Sequence, residues 1–224
     1  MAEWREIRAY YDDQNIRVYQ AYSDEIADGA LRYGRFVAPF KRGRMTWIKP
    51  SFLWMMDRSG WAMKPQQTRV LAIDISREGF EWALSHSCLS HFESSVYGSH
   101  GRWKAVKAAS PVIIQWDPER SLLLKKLDYC AIQIGLSGEA ANRYVDQWIM
   151  KITDFTTLSR EIRRLVDSSH LEDAAKLIPL ENVYPISPAI WLTIGASDPG
   201  TAPGSKFMGK AHGPNWPKIR DIVP

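Results

Sequence analysis

Three cations, three tryptophans and three methionines share the eighteen residues Arg44-Met45-Thr46-Trp47-Ile48-Lys49-Pro50-Ser51-Phe52-Leu53-Trp54-Met55-Met56-Asp57-Arg58-Ser59-Gly60-Trp61. Aromatic faces stack on flat rings, while Arg44, Lys49 and Arg58 suit phosphate or carboxylate. The mixture fits a wall that grips something flat and anionic, with Trp47, Trp54 and Trp61 as its faces. The competing reading is a core helix whose charged ends reach out to water. Two other segments could do chemistry. Tyr19-Gln20-Ala21-Tyr22-Ser23 hands a strand over to a helix N-terminus, where backbone N–H groups favour an anion and Gln20 or Ser23 can bond sugar hydroxyls. Ser23 could equally be a plain helix cap. Gln115-Trp116-Asp117-Pro118-Glu119-Arg120 places two carboxylates and a guanidinium just past a strand, or else forms a solvated, ion-paired turn. Together the aromatic platforms, cations and strand-end carboxylate suit a nucleotide pocket.

Several other chemistries lack their residues. There is no GxxxxGK[ST], GxGxxG, HExxH or GxSxG pattern. No two histidines stand four apart, and His86 and His91 flank Cys88 without further ligands at a metal-binding spacing, so no metal is expected. Cys88 and Cys130 form no CxxC and read as buried free thiols of a reducing compartment. A net charge of +4 over 224 residues permits an anionic partner without implying nucleic acid. The N-terminus is polar, and no apolar run approaches the roughly 20 residues that span a bilayer. A cytoplasmic protein with no membrane partner is expected.

The elements that would position these groups follow from pattern. Residues 16–22 alternate and are rich in β-formers, predicting a strand; Ser23 caps a helix to about Tyr33, which Gly34 stops. A basic loop covers 39–44, and Pro50-Ser51 opens a short helix to about Arg58, ended by Ser59-Gly60. Residues 69–75 form the clearest strand, followed by a helix capped by Ser76 and running to about Ser85. The Ser-, Gly- and His-rich stretch 86–110 reads as a long loop. Strands are expected at 112–116, turning at 117–120, and at 131–136; helices are expected from Ser137 to about Lys151 and, as one or two, over 156–178. Elements that mix without a βαβα rhythm predict an α+β fold with a small, largely antiparallel, possibly split sheet flanked by helices. It would form one domain over 1–196, with an irregular tail over 197–224.

Segments 17–23, 44–56, 58–61, 116–120 and 132–136 together resemble the family catalogued as domain of unknown function 4291, a likeness that covers roughly residues 5–190. Asp57 stands where that pattern has an aromatic residue. A weaker likeness is one of fold. The strand-to-helix segment Tyr19–Ser23 is similar to the first motif of ADP-ribosyltransferases, which act on NAD. Gln20 stands where that superfamily places His or Arg, Thr46-Trp47 where it has a Ser/Thr-aromatic segment, and Glu119 (or Glu139) where it has a catalytic Glu. The resemblance implies a transferase moving ADP-ribose from NAD to an acceptor, with Glu119 and Gln20 catalytic. NAD would be held by Tyr19, Ser23, Arg44, Thr46, Trp47, Lys49, Ser51, Trp54 and Arg58. A carboxylate on the ribose 2′-hydroxyl would stabilise charge as the nicotinamide bond breaks. The alternative is a nucleotide- or nucleic-acid-binding module without catalysis. Lys41, Arg42, Arg44, Lys49, Arg58, Lys104 and Lys107, interleaved with Trp, would meet a single strand in that case.

Overall fold

A computed structural model of the protein describes residues 4–197. Up to residue 85 its elements are β1 (Trp4–Arg5), β2 (Arg8–Ala9), β3 (Asn15–Tyr22), α1 (Asp24–Tyr33), β4 (Thr46–Ile48), α2 (Phe52–Ser59), β5 (Arg69–Ser76) and α3 (Arg77–Ser85). There follow β6 (Ser87–Leu89), α4 (Ser94–Tyr97), α5 (His100–Ala109), β7 (Val112–Arg120), β8 (Lys126–Leu136) and α6 (Gly138–Arg143). A π-helical turn (Tyr144–Trp148) leads to β9 (Ile149–Asp154), α7 (Thr156–Asp167), α8 (Leu171–Leu177), β10 (Asn182–Val183) and α9 (Pro188–Ile194). The fold is α+β. Among the described residues no helix is long and apolar enough to cross a membrane. Beyond Ser197 the expected irregular tail lies outside the described residues.

The strands make two main sheets. In the larger, ordered β1-β8-β7-β6, β7 runs antiparallel to β8 with Gln115 opposite Gln133. The far edge of β8 is shared. β1 pairs with it in parallel at Tyr129 and Cys130, and β4 antiparallel from Leu136 to Ile134. The smaller sheet, β3-β5-β9, is wholly antiparallel. One bridge joins the sheets: the Tyr19 amide donates to the Lys49 carbonyl at 2.7 Å, just past β4. The strands thereby curl into a half-barrel.

Period-2 alternation decides which way each side chain of β3 points. Ile16 and Val18 join the main core with Leu71, Ile73 and Ile75 of β5. Tyr19 faces the other way, into a second core with Phe52, Met55, Met56, Trp61, Val70 and Ala72. Both faces of β3 and β5 are therefore largely buried, whereas the edge strand β9 exposes Met150, and Gln20 lies on the same face of β3 as Ile16 and Val18.

The early elements match their sequence signals closely. Gly34 adopts φ 65° to stop α1, and Ser51 and Ser76 accept bonds from Trp54 N and Gly79 N as N-caps. Three expectations are corrected. The stretch 86–110 is no long loop, because β6, α4 and α5 occupy most of it; Ser99 caps α5 by accepting from Arg102 N. Residues 117–120 continue β7 in place of turning, with a register shift between Pro118 and Arg120 that accommodates the proline. The helix from Ser137 stops short of Lys151: it widens over Tyr144–Trp148 and gives way to β9, which completes the smaller sheet.

Candidate functional site

Where the sheets meet, an open-mouthed cavity of about 670 Å³ is walled by the end of β3 (Gln20, Ala21, Tyr22), Ser23 and Ile26 at the start of α1, and Pro39, Phe40 and Lys41. Arg44, Met45, Thr46, Trp47 and Lys49 supply the wall along β4, Met55 and Arg58 come from α2, and Gln66 and Gln67 from the following loop. Gln115 and Gln133, cross-strand partners, complete the lining. Such a volume accommodates a ligand of nucleotide size.

The wall is tied together by Gln20, which is 3% exposed. Its Nε2 donates to Thr46 Oγ1 (2.7 Å), Tyr22 OH (2.9 Å) and the Trp47 carbonyl (3.0 Å), and its Oε1 accepts from Tyr144 OH at 2.7 Å. The Tyr22 and Thr46 hydroxyls lie 3.0 Å apart. Burial, opposed by the Thr46 and Gln20 bonds, pushes the Tyr22 phenol up to about 12, so it stays protonated and can donate. Trp47 lies across Gly135, its register partner, where a Cβ would meet Met45 Sδ at 2.8 Å and the Trp47 ring at 3.0 Å. A glycine here lets the aromatic wall rest directly on the sheet.

Charge in the cavity is one-sided. Lys41, Arg44, Lys49 and Arg58 line it, and among the described residues no carboxylate does. Arg44 and Arg58 are exposed at the rim and make no ion pair with any described residue. Lys49 is different, being 6% exposed. Among the described residues its Nζ bonds only the Trp47 carbonyl, at 3.3 Å, and stands 5.2 Å from the Trp54 ring centre. Burial, helped by the like charge of Arg58 and opposed by Asp117, brings its ammonium down from 10.5 to about 7. Asp117 lies just outside the lining, with Gln115 Nε2 donating to its Oδ1 at 3.0 Å and Gln133 Nε2 to its Oδ2.

Of the residues singled out from the sequence, Gln20, Ser23, Arg44, Thr46, Trp47, Lys49 and Arg58 come together in this cavity. The Ser23 side chain makes no capping bond. Tyr19, Ser51, Trp54 and Glu119 are placed elsewhere. Strand alternation turns Tyr19 into the second core. Trp54 is buried beside Lys49 with its Nε1 unpartnered, and Trp61 is buried in the second core, so only Trp47 of the three indoles faces the cavity. Glu119 sits at the N-terminus of α2, where Ser51 Oγ (2.9 Å) and Arg120 N (2.7 Å) donate to its Oε1. Burial pushes Glu119 up to about 6 against those bonds. Glu181, whose Oε1 accepts from Phe52 N at 2.7 Å, is raised well above the carboxylate range by burial and by the charge of Glu119. Glu139 is paired with Arg143 on the surface of α6. Lys104 and Lys107 lie on α5, and Arg42 is paired with Asp146.

Sequence reasoning gave no individual role to Tyr22, Gln66, Gln67 or Gln133. A signal existed for Gln133, a lone amide inside the apolar run Ala131-Ile132-Gln133-Ile134. Gln66 and Gln67 follow a loop with left-handed Gly60, Trp61 and Ala62 (φ 59°, 58° and 62°), a course that no local pattern announces. Among the described residues no group of three His, Cys, Asp or Glu is arranged to hold a metal. No curated protein matches the chain. A family model does, over residues 6–184, and the chain belongs to the family described as Domain of unknown function (DUF4291).

Proposed function

We propose that the cavity is a nucleotide-binding site, with phosphates at the Arg44 and Arg58 rim and sugar hydroxyls against the Gln20–Thr46–Tyr22 wall. One observation carries this reading: two unpaired guanidiniums and a hydroxyl-rich wall share a cavity in which no described carboxylate opposes an anion. Trp47 supplies a stacking face for a base. Calorimetric titration of ADP-ribose, ATP and NAD at low and high salt tests it. Binding should weaken with salt, and Arg44→Ala or Arg58→Ala should each raise Kd about ten-fold, which corresponds to roughly 1.4 kcal/mol. Absence of nucleotide binding ends the reading.

A second reading, transfer of ADP-ribose from NAD, is favoured by the direct bond between Gln20 and Thr46, which joins the two segments that resemble ADP-ribosyltransferase motifs. The residues present suit the pyrophosphate of NAD. They fit the expected carboxylate less well, since Glu119 is held by Ser51 and Arg120 away from the cavity lining. The carboxylate beside the cavity is Asp117, so within this reading Asp117 takes the ribose-facing role. Chromatography of NAD incubated with the protein separates the two readings. Nicotinamide release lost in Asp117→Asn supports transfer, whereas binding without release leaves nucleotide recognition alone.

A further inference from the structure

Arg44 and Arg58 stand exposed at the cavity rim. Lys49 is inside. Its amine faces the cavity with one backbone carbonyl as a hydrogen-bond partner, an indole face beside it, and no ion pair to any described carboxylate. Asp117, whose charge acts on it, is already engaged by the amides of Gln115 and Gln133. A buried amine without a fixed counter-ion is poised as a nucleophile, and the guanidiniums nearby can place an anionic substrate against it.

We propose that Lys49 is an imine-forming lysine, whose amine condenses with the carbonyl of a phosphate-bearing aldehyde or ketone held by Arg44 and Arg58. This rests on the reading of the cavity as a phosphate site but goes beyond nucleotide binding. The nitrogen lone pair adds to the carbonyl carbon, forming the C–N bond. The carbonyl oxygen then leaves as water, carrying both protons of the neutral amine, and a C=N bond remains. The open-chain sugar of a nucleotide such as ADP-ribose belongs to this ligand class. The lowered ammonium supports the idea, because burial leaves far more of the Lys49 amine neutral, with a free lone pair, near pH 7 than an exposed lysine has. Of the charged and titratable groups, Arg58 from α2 and Asp117 from β7 act on the amine, and Arg44 and Lys41 from the loop before β4 and Tyr22 from β3 line the same cavity.

Pyridoxal 5′-phosphate serves as the probe, with borohydride supplying hydride to the imine carbon so that the adduct survives as a secondary amine. The intact protein is titrated over pH 6–9, reduced, digested and mapped by mass spectrometry. Binding without reduction is followed separately by calorimetry with inorganic phosphate and ADP-ribose. The expected result is about one adduct per chain, on Lys49, suppressed by inorganic phosphate and rising with a midpoint near 7; exposed lysines rise only toward their ordinary value of about 10.4. Lys49→Met should reduce labelling to background. Lys49→Arg keeps the charge and should still bind phosphate without an adduct. The wild-type pH profile decides the matter even if both variants misfold. Adducts spread over surface lysines, or a Lys49 that stays unlabelled while phosphate or ADP-ribose binds, overturn the imine and leave the nucleotide reading standing. If neither ligand binds, both fall.

Discussion

Replacing Lys49 by methionine should stabilise the protein, by an amount that shrinks as pH rises. The amine is enclosed beside Trp54 and the Trp47 carbonyl, and burial holds its ammonium near 7 in place of 10.5. Below pH 7 the folded chain must carry a buried charge that the unfolded chain solvates freely, a cost of up to roughly 5 kcal/mol at about 1.4 kcal/mol per decade. Between 7 and 10.5 the unfolded state binds the proton that the folded state has released, so wild-type stability climbs with pH through that window. About 2 kcal/mol of the climb falls between pH 7 and 9. Methionine has similar length, no charge and no proton to lose. Urea denaturation of both proteins at pH 6, 7, 8 and 9, extrapolated linearly, gives the difference free of all other titrations common to them. A variant advantage that is largest at pH 6–7 and narrows by about 2 kcal/mol at pH 9 supports the reasoning. A difference that is flat in pH, or that widens on going alkaline, refutes it.

Glu119→Gln should flatten a different part of the profile. A carboxyl raised from 4.5 to about 6 stabilises the fold below pH 4.5 and loses that contribution, roughly 2 kcal/mol, as pH rises through 6; the variant's unfolding free energy should vary less across that window in denaturant titrations. Gln20→Ala leaves the buried Tyr144 hydroxyl without its acceptor and removes the amide's bonds to Thr46, Tyr22 and the Trp47 carbonyl, so equilibrium unfolding should show a loss of at least about 1–3 kcal/mol. Gly79→Ala would set a Cβ 2.3 Å from Cγ of the buried Trp148 ring, so α3 must move off that ring at a cost of about 1–3 kcal/mol, read from a lowered Tm.

Local chemistry made the first half of the fold legible. Ser23, Gly34, Ser51, Gly60 and Ser76 mark helix ends by rules that need only neighbouring residues, and β5 declares itself by the apolar run Val70-Leu71-Ala72-Ile73. The candidate cavity was partly legible for the same reason. The cations of 44–58 converge because β4 and α2 are short and adjacent, which keeps Arg44, Lys49 and Arg58 on one side. What the chain hid depends on partners distant in sequence. β1 and β10 are two-residue strands that exist only through their pairings with β8 and β2. The helix after Ser137 is cut short because residues 149–154 complete the edge of the smaller sheet. Pro118 reads as a turn until β8 lies beside it. Tyr19 and Trp54 carry residue types suited to a ligand, yet alternation and helix phase bury them; Gln133 carries a modest type that becomes prominent only once Gln115 stands opposite.

A crystal structure of the protein soaked with ADP-ribose tests the assignment of the cavity most directly. The account predicts phosphate oxygens within hydrogen-bond distance of Arg44 and Arg58, and ribose hydroxyls against Thr46 and Tyr22. A nucleotide bound at another surface, with the side chains of this cavity untouched, contradicts it.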